Sequence, residues 1–155
     1  MMKTGYLTGR RMIDFQAESK RSGDKFEDLV YKDLINREYI DLKKNFDIPE
    51  IGIQVDFFGD YGHYIEAKGG AEGDKKRPGA KRTDNVKKAI ANGALLKKVN
   101  ANAYYIVYFS SYPVEGSSSD KMLKAALKYN FIDEIRYLQL EDDDVEYTLF
   151  DEWIN

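Results

Sequence analysis

Apolar residues recur along this chain in two periods, and each change of period marks a new element. Phe26, Leu29, Val30 and Leu34 lie three and four apart, the stripe of an amphipathic helix predicted from Gly23-Asp24 to about Tyr39. After Pro49 the period falls to two. Ile51, Ile53, Val55 and Phe57 alternate with Gly52, Gln54, Asp56 and Phe58, a strand whose partner returns from Tyr64 to Lys68. Residues 69–82 form a Gly-rich basic loop. Thr83 is the expected N-cap of a second helix, with Val86, Ala89, Ile90, Gly93 and Leu96 on one face and Lys87, Lys88, Lys97 and Lys98 mostly off it. Ala103 to Ser110, AYYIVYFS, is nearly continuous in apolar residues, as a central strand buried on both faces would be. Ser117-Ser118-Ser119 then leads into a short helix, Asp120 to Tyr129. Two strands, Ile135 to Leu140 and Val145 to Phe150, close the pattern around the acidic turn Glu141 to Asp144. This order predicts a single α/β domain over residues 23–155 built on a mixed sheet. A polar arm, residues 1–22, precedes it with Lys3, Arg10, Arg11, Lys20 and Arg21.

Composition narrows the chemistry. With 155 residues, 43% of them hydrophobic, the chain has material for one packed core. It has no cysteine, which removes disulfides, thiol nucleophiles and thiolate zinc sites and fits a reducing cytoplasm. His63 is the only histidine, so mechanisms that need two are excluded. No apolar run approaches about 18 residues and no signal-peptide core opens the chain, so a soluble, cytoplasmic protein without a membrane partner is expected. The net charge of −3 conceals an asymmetry. Glu72 to Lys98 holds nine Lys/Arg against three Asp/Glu, and Asp133 to Glu152 holds one Arg against nine Asp/Glu. A polyanion is attracted to the first region and repelled by the second.

The chemistry concentrates in the hairpin VDFFGDYGHYIEAKGG, Val55 to Gly70. Asp60-Tyr61-Gly62 suits a three-residue loop closed by a left-handed glycine. That loop sets Phe58 across from Tyr64, Asp56 from Glu66 and Gln54 from Lys68. Gln54, Asp56, Glu66 and Lys68 then share a polar face, with Ile53, Val55, Phe57, Ile65 and Ala67 behind it. Two opposed carboxylates repel, and a divalent metal turns that repulsion into binding. Mg²⁺ takes one or two carboxylates and keeps positions for water and phosphate oxygens, where it activates a water and neutralises charge on a phosphodiester. The same pattern also suits the solvated outer face of a surface hairpin, because D-x9-E-x-K is a loose spacing.

In their context these residues resemble the PD-(D/E)XK nuclease superfamily, the restriction-endonuclease-like fold. The likeness covers about Gly23 to Ser110. The family's first acidic motif residue falls on Asp56, within VD in place of PD; its second falls on Glu66 and its lysine on Lys68, within IEAK. The helical glutamate of Holliday-junction resolvases and phage-type nucleases falls on Glu27 in DKFEDLV. The resemblance implies an α-β-β-β-α-β core, a central mixed sheet flanked by helices, with the C-terminal β-hairpin as an elaboration. It further implies cleavage of DNA phosphodiesters with Mg²⁺ or Mn²⁺. Asp56, Glu66, the Ala67 carbonyl and Glu27 would hold the metal, and Lys68 would join Asp56, Glu66 and Glu27 as a catalytic residue. A homodimer is an expectation of the family alone.

Arg77, Lys81, Arg82, Lys87 and Lys88 surround the start of the second helix, and with Gln54 they are the expected DNA contacts. A solvated lysine face, a sheet-surface Gln54 and an N-terminal helical carboxylate at Glu27 are the plainer readings of the same residues. With no separate recognition module, selectivity for branched or junction DNA is expected over reading of a long sequence. A DNA-binding or assembly protein that keeps the fold without cutting, a restriction-type enzyme and an RNA-processing nuclease are the alternatives.

Overall fold

The computed structural model describes residues 23–69 and 79–139. The elements run α1 (23–36), β1 (Lys43–Ile48), β2 (Ile53–Phe58), β3 (His63–Lys68), α2 (Thr83–Val99), β4 (Tyr104–Phe109), α3 (Ser118–Lys128) and β5 (Glu134–Tyr137). The five strands form one mixed sheet in the order β1-β2-β3-β4-β5. The first three pair antiparallel, while β3, β4 and β5 pair parallel.

β4 is the centre of the core because every position from Tyr105 to Phe109 is apolar enough to be enclosed. Tyr105, Val107 and Phe109 face α2 and α3, packing with Val86, Ala89, Leu96, Leu123 and Ala126. Ile106 and Tyr108 face α1 and meet its stripe of Phe26, Leu29, Val30 and Leu34. Helices therefore cover both faces of the sheet. No helix among the described residues is long and apolar enough to cross a membrane.

Several elements depart from their sequence-based bounds. α1 stops at residue 36, short of Tyr39, because Glu38 turns left-handed (φ 73°). Glu38 N–H then donates to the Ile35 carbonyl and Tyr39 N–H to Leu34, the Schellman pattern without its usual glycine. β1 has no counterpart in the order read from the periodicity, although the α-β-β-β-α-β core implied by the resemblance calls for a strand there. Pro49–Ile51 is a short 3₁₀ turn where the predicted strand began. Arg82, not Thr83, is the N-cap of α2, and no side chain caps it. α3 opens earlier than predicted, since Ser117 Oγ accepts from Asp120 N–H at 3.2 Å. β5 is shorter than the predicted Ile135–Leu140 strand and pairs parallel with β4. Its predicted hairpin partner, Val145 to Phe150, lies outside the described residues, as do the arm and most of the basic loop.

α2 crosses the sheet closely at Gly93. A Cβ there would lie 2.1 Å from the Phe131 carbonyl oxygen and 3.0 Å from the Tyr105 ring. Alanine favours a helix by about 1 kcal/mol over glycine. Overpacking against backbone outweighs that gain, so Gly93→Ala should lower stability by about 1–3 kcal/mol in urea unfolding.

Candidate active site

The β2–β3 turn fixes the site. Gly59 N–H donates to the His63 carbonyl at 2.8 Å, Gly62 N–H donates to Gly59, and Gly62 is left-handed at φ 74°. Phe58 stands across from Tyr64 and Phe57 from Ile65, the register that the three-residue loop predicts. The next hydrogen-bonded rung in this register would join Val55 to Ala67. In its place the Asp56 side chain reaches across, and its Oδ2 accepts from Ala67 N–H at 2.7 Å.

Asp56 is also where β2 changes face. Phe57 packs with Ile65 and Ala67 against α1, whereas Val55 packs with the α2–α3 side. Residues two apart on a regular strand share a face. The expectation of one continuous apolar face from Ile53 to Ala67 is therefore corrected. On β1, between the pairs Lys44–Phe57 and Phe46–Val55, Asn45 adopts a left-handed φ of 52°. In that register Asn45 falls across from Asp56.

Asp56 lies in the field of Glu27, Glu66 and Lys68. Burial, with the nearby carboxylates of Glu27 and Glu66, pushes its carboxyl up to about 7, against the opposing Ala67 hydrogen bond and Lys68 charge. Glu66 is 3% exposed, and its Oε1 accepts from Asn92 Nδ2 at 2.7 Å and from Tyr105 Oη at 2.5 Å. Its Oε2 lies 3.5 Å from Lys68 Nζ. Glu27, on the first turns of α1, is itself raised by burial and by Asp24 and Asp28, with Lys44 opposing. Among the described residues, no three His, Cys, Asp or Glu side chains form a group that could hold a metal ion. The donors expected from the sequence would then be Asp56, Glu66 and the Ala67 carbonyl, with Glu27 near enough to Asp56 to raise its carboxyl. These are hard oxygen donors of the kind Mg²⁺ takes in small number, and a carboxyl raised first by burial and then by its acidic neighbours is one that a cation relieves.

The end of β3 that carries Lys68 is also where α2 begins. Ser110 N–H donates to the Lys68 carbonyl and Ala80 N–H to Ser111, so β3, β4 and the turn Gly79–Lys81 end side by side. A Cβ on Gly69 would fall 2.4 Å from the Ser110 side chain, which explains the glycine after the lysine. Arg82, Lys87 and Lys88 are exposed. Lys81 lines an open cleft of about 450 Å³ with Thr83, Val114 and Ser117 to Ser119. Arg77 lies outside the described residues. Gln54 is exposed, but its amide donates to Asp47 on β1 at 2.8 Å, which ties it to the sheet edge. His63 is a turn-flanking residue, its Nδ1 2.6 Å from Tyr39 Oη and its ring 4.6 Å from that of Tyr104.

Sequence reasoning missed Asn92 and Tyr105, the two donors on Glu66. Asn92 does leave a trace, an amide beside the apolar stripe of α2 between Ala89 and Leu96. Comparison with protein-family models, with curated proteins and with solved structures gives no match.

Proposed function

We propose that this protein is a metal-dependent DNA endonuclease of the PD-(D/E)XK type, with a preference for branched or junction DNA. One observation carries the reading. Asp56, a carboxylate pushed up to about 7, sits where β2 and β3 part, within the field of Glu66 and Lys68 from the neighbouring strand. The order of helix, three antiparallel strands, helix and parallel strand supports it, being the core that the resemblance implies.

Asp56 and Glu66 would hold Mg²⁺ or Mn²⁺ together with the Ala67 carbonyl. The ion, when bound, supplies charge neutralisation at the phosphate and an acidified water. Lys68 is kept beside Glu66 by their ion pair and is 21% exposed at its side chain, so its ammonium is available to a phosphate oxygen. The exposed Arg82, Lys87 and Lys88 stand at the same end of the sheet and would bind the flanking backbone without reading bases.

The test is cleavage of supercoiled plasmid and of a synthetic four-way junction with Mg²⁺ or Mn²⁺, beside Lys68→Ala. Cleavage by the wild type, EDTA-sensitive and reduced on the order of a hundredfold or more in Lys68→Ala, is the expected result. Binding without cleavage would leave a DNA-binding or assembly protein. Matched RNA substrates that are cut in preference to DNA would move the activity to RNA processing.

A further inference from the structure

Resting on the nuclease reading above, we infer that Asn92 and Tyr105 are positioning residues that make Glu66 a one-oxygen ligand. A carboxylate oxygen has two lone pairs. Oε1 of Glu66 has both engaged, by Asn92 from α2 and Tyr105 from β4. Among the described residues, Oε2 has only the longer contact to Lys68. The rotamer is fixed from two elements, 26 and 39 residues away in sequence, so the side chain cannot swing to offer both oxygens. Tyr105 is fully buried, and its hydroxyl gives a short, charge-assisted hydrogen bond to the carboxylate. Oε2 is thereby turned to the Lys68 side, where the phosphate would lie.

The arrangement has a second consequence. Lys88 and Asn92 are four residues apart on α2 and so lie on neighbouring surface one above the other. The helix whose start would meet the DNA backbone is the same helix that sets the metal ligand. A shift of α2 along the sheet would then be felt directly at Glu66.

The test uses the full chain. Mn²⁺ is titrated by calorimetry into the wild type, Asn92→Ala, Asn92→Gln and Tyr105→Phe, and each is melted in EDTA. Plasmid cleavage is measured in parallel for kcat and KM. Loss of either donor should weaken Mn²⁺ binding about tenfold to a hundredfold and lower kcat, with KM for DNA unchanged. Asn92→Gln, which keeps an amide donor, should retain more affinity than Asn92→Ala. Tyr105→Phe keeps the ring in the core, so it carries the test if Asn92→Ala does not fold. Folded variants that melt lower but bind Mn²⁺ within about twofold of the wild type would overturn the inference and leave the nuclease reading standing. A wild type that neither binds Mn²⁺ nor cleaves would overturn both.

Discussion

Asparagine in place of Asp56 should give a protein that no longer cleaves DNA yet melts above the wild type at pH 8 without metal. The two effects have one cause. The folded protein holds the Asp56 proton up to about pH 7, whereas the unfolded chain releases it near 3.8. The native state therefore binds more protons between those values, and wild-type stability falls as pH rises through that window. Relative to an ordinary aspartate, the stability is fully present below pH 3.8 and lost by about pH 7. The substituted asparagine has no proton to lose, and its amide oxygen still accepts from Ala67 N–H. Each pKa unit corresponds to about 1.4 kcal/mol, and allowing for the partial exposure of Asp56 the difference at pH 8 should be about 2 kcal/mol in favour of Asp56→Asn. On the proposed reading Mg²⁺ or Mn²⁺ would bind only the native wild type, so it should raise the wild-type melting temperature and leave that of the variant unchanged. Cleavage should fall on the order of a thousandfold. Thermal melts from pH 4 to 8, with and without metal, check the first effect and plasmid nicking the second. A variant that melts lower than the wild type at pH 8 would show that Asp56 holds the fold together and is not a strained ligand.

The register of the hairpin was legible because it depends on three adjacent residues. Asp60-Tyr61-Gly62 suits a three-residue loop, and the loop sets Phe58 against Tyr64 and Phe57 against Ile65. The expected pairs beyond, Asp56 with Glu66 and Gln54 with Lys68, are not part of the ladder, where the Asp56 side chain reaches Ala67 N–H instead. The stripe of α1 and the buried run of β4 were legible for the same local reason. What failed depended on residues that do not advertise their role. KKNFDI carries two lysines, an asparagine and an aspartate, since β1 is an edge strand with one face in water, and nothing in its pattern demands a strand. Glu38 ends α1 in a conformation that a sequence reader assigns to glycine. The change of face at Asp56 lies beside a left-handed Asn45 on another strand. The donors on Glu66 come from positions that the chain brings close only once the sheet has formed. Tertiary structure decided each of these, and local propensity carried none of them.

Long-range assembly also governs the largest stability effect, on the α1 side of the sheet. Arg136 is 6% exposed, and its guanidinium donates to Glu134 Oε2 at 2.6 Å and to Tyr108 Oη at 2.7 Å. Tyr108 Oη in turn donates to Asp33 Oδ2 at 2.6 Å, and Arg37 pairs with the same oxygen at 2.8 Å. Tyr104 Oη donates to the other oxygen of Glu134 at 2.9 Å. Burial raises the Glu134 carboxyl, but the Arg136 bond and charge, with Tyr104, hold it below the ordinary glutamate value. Its stability is therefore present above pH 4.5 and lost as pH falls through the lower folded value. Arg136→Met removes the buried cation and leaves Glu134 charged in a partly buried site. The loss should be about 3–5 kcal/mol, a large share of what a domain of this size has. The remedy follows from the same charges. Glu134→Gln in the Arg136→Met background removes the stranded acid and keeps an oxygen for Tyr104, so the double variant should recover at least about 1 kcal/mol of that loss. Urea unfolding of the two single variants and the double closes the cycle. Simple addition of the two losses would mean that Glu134 draws its stability from Tyr104 and solvent, with Arg136 serving only to pack the space between α1 and β5.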